Sequence, residues 1–179
     1  MNKKKRVLII VGILVVFFIV LIIINVSKKL YTTYTFDDSK ISVTVFNKFR
    51  KIDDDRKNTD LALYNSELET YVIGRTLPEE FWASGDIMAM CDEYLRFISS
   101  MYYEREIKDV SMNEVEINGV KVGRVGLTAS QKNSSNKAVT LLFPKEYNNY
   151  ILEIYGSEDI LKEKNNEVEN IINSIKINK

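Results

Sequence analysis

The sequence predicts an α+β domain, a mainly antiparallel sheet flanked by helices, carried behind an N-terminal transmembrane helix. Three observations lead there. Residues 7–24 hold no charge, and Gly12 alone among them is not strongly apolar. The body then runs through alternating apolar segments joined by short polar turns, Asn118-Gly119 among them, as consecutive hairpins do. Two further segments, one starting near Asp86 and one after Ser157, place their apolar residues at helical spacing.

At about 1.5 Å per residue, a helix over residues 7–24 is about 27 Å long, against about 30 Å for the hydrocarbon of a bilayer. Asn25 and Val26 extend it to a predicted span of 7–26. A cleaved signal is shorter, about 7–15 apolar residues followed by small ones. Here Asn25-Val26-Ser27-Lys28-Lys29-Leu30 offers no such site, and the lone Cys91 stands far from the span. An uncleaved signal-anchor is expected. Lys3, Lys4, Lys5 and Arg6 precede it, while Lys28 and Lys29 follow it. The bias places residues 1–6 in the cytoplasm as a short tail, with the body outside the cell membrane. The predicted organisation is completed by a juxtamembrane spacer, 27–35, and an extracytoplasmic domain, 36–179.

From Leu30 onward the chain is long enough for one domain with its own core. This part carries nineteen basic and twenty-five acidic residues, a net charge of −6. Nucleic acid calls for clustered Lys and Arg, so it is not an expected partner. A single cysteine forms no internal disulfide. The richness in Lys, Asn and Ile is that of an AT-rich, bacterial coding sequence.

In chain order, Ile41, Val43 and Val45 alternate with Ser42 and Thr44 as a strand does. Asp53 to Asn58 is a polar turn region. DLALYN (60–65) and TYVIGR (70–75) read as strands of a hairpin through Ser66-Glu67. Thr76, Pro78 and Glu79 form a capping box with Pro in the first turn. Gly85 separates that turn from a longer helix beginning near Asp86, whose inner face is Ile87, Cys91, Tyr94, Ile98 and Met101. A strand at 107–117 meets Asn118-Gly119, the residue pair that accepts positive φ at both centres of a type I′ turn. Val120, Val122, Val125 and Leu127 continue the return strand. AVTLLF (138–143) and YILEIYG (150–156) pair around Pro144–Asn149. Ser157 then starts a closing helix with Leu161, Val168, Ile171, Ile172 and Ile175 inward and a polar gap at Lys164.

Over about residues 36–177 this order resembles the PsbP-like family, named for an extrinsic subunit of photosystem II. The resemblance rests on FDDSKISVTV, the paired DLALYN and TYVIG strands, the INGVKVGRV hairpin and the closing IINSIKI. Related sequences run their first strand into Pro and then Trp and close on Ser-Phe-Lys. Here Phe46-Asn47 and Ile175 stand at those places. The resemblance implies an antiparallel sheet between helices, an α/β/α sandwich, in a membrane-anchored bacterial member. The family's members have unrelated roles, photosynthetic subunits, a nuclear transport factor and bacterial lipoproteins among them, so the fold transfers no function.

The chain has no His, which removes Ser-His-Asp and Cys-His catalysis and the common zinc ligand sets. Cys91 lies on the apolar stripe of its helix and reads as core. Ser134 and Lys137 match S-x-x-K but lack the motifs that accompany it. Asp53-Asp54-Asp55 lacks calcium-loop spacing, Asp37-Asp38 reads as a solvated turn, and Glu79-Glu80 suit a helix N-terminus. No catalytic, cofactor or metal site is therefore expected. Aromatic residues are the remaining candidates, since they are enriched at interface hot spots. Phe81, Tyr147, Tyr150 and Tyr155 read mostly as packing, and Trp82, Tyr102 and Tyr103 as partner-binding residues. The expectation is a non-enzymatic, membrane-anchored extracytoplasmic domain that binds a protein partner in the envelope. The alternative is an assembly scaffold subunit of a secretion or conjugation channel.

Overall fold

A computed structural model describes residues 3–36, 40–54, 58–77, 86–101, 105–131, 135–145 and 149–177. The chain divides into two compact units, Met1–Thr32 and Thr33–Lys179. The first is dominated by helix α1, Lys3–Leu30. Each side chain described between residues 11 and 23 is exposed. Counted over described residues alone, no helix is long and apolar enough to cross a membrane. In α1 the described side chains are those of 11–23 and Leu30, whereas the charge-free sequence continues to Val7 and Ile24.

The second unit is built on a seven-stranded sheet. Its strands are β3 (Arg50–Lys51), β4 (Thr59–Asn65), β5 (Thr70–Thr76), β6 (Arg105–Ile117), β7 (Val120–Gln131), β8 (Lys137–Pro144) and β9 (Tyr150–Ser157). Their spatial order is β3-β4-β5-β9-β8-β7-β6, and neighbouring strands are antiparallel. After β5 the chain passes through helix α2, Ile87–Met101, to the far edge, and the β6–β9 meander returns until β9 pairs with β5. β1 (Tyr31–Phe36), β2 (Ile41–Phe46) and β10 (Lys176–Ile177) form a second sheet in the order β1-β2-β10. Helices α3 (Glu158–Glu163) and α4 (Asn165–Asn173) complete the unit.

Both faces of the large sheet are covered, which makes it the middle layer of a mixed α/β fold. On one face, α3, α4 and the small sheet meet Leu61, Leu63, Val72, Val120, Val122, Leu142, Tyr150, Leu152 and Ile154. On the other, Ile87, Met90, Cys91 and Tyr94 of α2 meet Val125, Leu127, Leu141, Phe143 and Ile151. Two-sided burial explains the unbroken apolar runs LLF and YIL, where successive side chains point to opposite faces and each finds a core.

Local chemistry sets the joints. Asn118 and Gly119 have φ of 51° and 80°, as a type I′ turn demands. The Asn118 amide donates to the carbonyls of Asn173 (3.0 Å) and Ile175 (2.6 Å), tying that turn to the end of α4. The Asp86 carboxylate accepts from the Met88 N–H at 2.9 Å and caps α2. Asn65 accepts from the N–H groups of Glu67 (2.9 Å) and Leu68 (3.2 Å), closing the β4–β5 connection.

Three expectations need correction. Residues 31–35 are not a spacer but belong to β1, where alternating Tyr and Thr suit a half-covered strand. Ser157 occupies the N-cap position of α3 without a side-chain cap bond, because it also ends β9. The polar gap at Lys164 is a break that divides the closing helix into α3 and α4. Thr76 closes β5, while the rest of the expected capping box and Gly85 lie outside the described residues.

Candidate functional site

Trp82, Tyr102 and Tyr103 lie outside the described residues, as do Phe81, Tyr147, Ser134, Asp37, Asp38, Asp55, Glu79 and Glu80. Lys137 begins β8, opposite Ser157 and Ala129. Tyr150 is fully buried, stacks on Phe36 at 5.1 Å and donates its hydroxyl to Asp60 at 3.0 Å. It is a core residue.

Cys91 is fully buried between α2 and β7. Its sulfur sits so close to Gly123 that a Cβ there would lie 2.6 Å away. Burial, assisted by the Asp86 charge, pushes the thiol up to about 12. A thiol that stays protonated and covered is no nucleophile at neutral pH.

Two polar constellations that residue patterns did not single out appear on the α2 side of the sheet. Glu153, in the apolar run of β9, is 7% exposed. One carboxylate oxygen pairs with the Arg75 guanidinium of the neighbouring strand, and the other accepts from the Tyr94 hydroxyl of α2 at 3.0 Å. This cluster ties β5, β9 and α2 together, and each charged group has a counterpart. Beside it, Tyr64, Tyr71 and Tyr155 stand directly opposite one another on β4, β5 and β9. Their ring centroids are 4.5 Å and 4.8 Å apart, with Tyr71 stacked on Tyr155 and tilted against Tyr64. Both arrangements brace the sheet.

The outer edge of β6 is different. β6 ends the order of the large sheet, and no described strand pairs with its outer side. From Lys108 to Glu114 every residue is exposed. Val110 and Met112 are 47% and 38% exposed. Apart from Leu30, Tyr31 and residues of α1, they are the large apolar side chains exposed among the described residues. A bulge divides the β6–β7 pairing between Lys108 and Ser111, with Asp109 at φ 52°. Unpaired backbone groups and apolar side chains thus coincide along one short segment, as strand addition requires. No sequence signal marked Val110 or Met112, since a strand's place at an edge follows from sheet order.

No family model matches the sequence, and no curated protein does either. Among solved structures, the fold is similar to that of cyanobacterial PsbP (CyanoP) from Synechocystis sp. PCC 6803. The TM-score is 0.60 at 9% identity, with 83% of this chain and 93% of that chain covered. A protein of unknown function from Pseudomonas aeruginosa, PA94, matches with a TM-score of 0.48 at 6% identity over 80% of this chain and 94% of that one. The likeness to the cyanobacterial protein shows a PsbP-like fold.

Proposed function

We propose that this protein is a non-enzymatic, membrane-anchored domain whose PsbP-like body stands on the extracytoplasmic side and binds a protein partner in the envelope. The observation that carries this reading is α1. It is a 28-residue helix whose described side chains at 11–23 are all exposed, within a sequence free of charge from Val7 to Ile24. Exposed apolar surface on this scale costs about 25 cal/mol per Å² in water, and a bilayer removes that cost. The basic residues ahead of the span support a cytoplasmic N-terminus. For binding rather than catalysis, the support is a sequence without His, a covered Cys91, and an exposed edge with an apolar pair.

Membrane fractionation tests the anchor. Full-length protein should stay in the pellet through ~1 M salt, where the Debye length is about 3 Å, and through carbonate. Protease added to intact protoplasts should digest the body. Changing Lys3, Lys4 and Lys5 to Asn should raise the fraction with the body inside. Release by salt, or a protected body in the unaltered protein, would overturn the reading.

A further inference from the structure

We infer that Asn118-Gly119 is a deamidation site, and that loss of the Asn118 amide there irreversibly loosens the C-terminal closure of the body. The inference stands on the body alone and does not depend on the anchored reading.

The body closes on very little backbone pairing. β10 is two residues long and meets β2 at Lys176 opposite Ser42 and Ile177 opposite Ile41. Ile175 packs into the core, and two side chains clasp the backbone around it. The Ser174 hydroxyl accepts from the Thr44 N–H at 2.9 Å, with the carbonyls of Ile171 (2.7 Å) and Thr44 (3.0 Å) in reach of its single proton. The Asn118 amide donates to the carbonyls of Asn173 and Ile175, on either side of Ser174. Both acceptors are carbonyl oxygens, so the amide nitrogen, not its oxygen, faces them.

The pair that makes the turn is also prone to lose that amide. The Gly119 nitrogen gives up its proton to hydroxide and attacks Cγ of Asn118. A new C–N bond forms, the bond from Cγ to the amide nitrogen breaks, and ammonia leaves with a proton from water. Water then opens the five-membered succinimide to aspartate or isoaspartate. Glycine has no Cβ to hinder the attack. Nothing lies within 4 Å of the place a Gly119 Cβ would take, and both residues are exposed, so water reaches the site.

The fold opposes the first step and magnifies its result. Attack requires the Asn118 amide to swing toward its own backbone, whereas two hydrogen bonds hold it at the end of α4. After the reaction a carboxylate oxygen faces two carbonyl oxygens with no proton between them, and the clasp turns repulsive. Isoaspartate also adds a methylene to the backbone of a two-residue turn. Either product loosens residues 174–177 and uncovers the β2 edge at Ile41 and Ser42.

Mass spectrometry and hydrogen exchange of the full-length protein in detergent test this. At mildly alkaline pH, deamidation of Asn118, read in the tryptic peptide 109–121, should be about tenfold faster in guanidinium than in the folded protein. Ser174→Ala weakens the clasp without touching the Asn-Gly pair, and its folded form should react a few-fold faster than the unaltered protein. Asn118→Asp, or folded protein aged until the amide is lost, should exchange the amides of 174–177 about tenfold faster, with those of β9 unchanged. Cooperative unfolding confirms that the variants fold. Equal rates in folded and unfolded protein, a Ser174→Ala rate no higher than the unaltered one, or unchanged exchange at 174–177 once the amide is gone would overturn the inference.

Discussion

At one edge of the large sheet β3 contributes two residues, Arg50 and Lys51, both exposed; at the other, β6 runs for thirteen residues and exposes Val110 and Met112. The first edge is too short to template another strand, and its cations would repel a like edge. The second offers length and apolar surface, limited by one bulge. The contrast continues inward on the α2 side. Toward β3 the sheet is braced by the Arg75–Glu153–Tyr94 cluster and the row of three tyrosines. Toward β6 it is packed by apolar contacts with α2. On this face polar groups brace the sheet toward β3, apolar packing on α2 holds it toward β6, and the border at β6 is open.

The largest effect should come from breaking the polar half. Arg75→Met leaves the Glu153 carboxylate buried without its counter-charge and should lower stability by roughly 2–4 kcal/mol in urea unfolding. Adding Glu153→Met should recover most of that loss. If the double variant is as unstable as the single one, the ion pair is not what braces this half. Gly123→Ala probes the apolar half. Its methyl group would press on Cys91 and Ile87, costing about 1–3 kcal/mol, and Cys91→Ala in the same chain should relieve part of the cost. Additive losses would contradict the packing described.

Cys91 gives a third contrast, by pH. Its thiol is raised in the folded state, so unfolded chains lose the proton first as pH climbs past the ordinary thiol range. The stability it contributes is complete below that range and is lost as pH rises toward about 12. Between pH 8 and 10.5 the unaltered protein should lose stability faster than Cys91→Ala, by at most about 1.4 kcal/mol per pH unit. Parallel curves would show that the thiol is not shielded. The smallest effect on folding belongs to the open edge. Val110→Lys should change stability by no more than about 0.5 kcal/mol, because the position is already half in water.

Much of this fold was legible where chemistry is local. Asn118-Gly119 marked its turn because few residues accept positive φ, and the stripes of α2 and α4 marked themselves by spacing. What was hidden depends on the assembled sheet. β1 reads as a polar spacer until β2 lies beside it, with Thr33 and Thr44 hydroxyls 2.9 Å apart. Glu153 looks like an interruption in an apolar run until β5 brings Arg75 alongside. The pairing of β5 with β9 joins segments far apart in the chain, and no short pattern encodes it. The β6 edge was hidden for the same reason, since Val110 and Met112 resemble any alternating strand residues. Trp82, Tyr102 and Tyr103, the candidates that sequence reasoning favoured, lie outside the described residues.

The difference between the two edges can be measured in one experiment, hydrogen exchange of the full-length protein in its native membranes and, after purification, in lipid vesicles. Exchange of backbone amides between Lys108 and Glu114 should be slower in the native membranes and that of Arg50 and Lys51 unchanged, with Val110→Lys abolishing the slowing. Exchange at β6 that is the same in both settings, or slowing that is equal at both edges, would contradict the account.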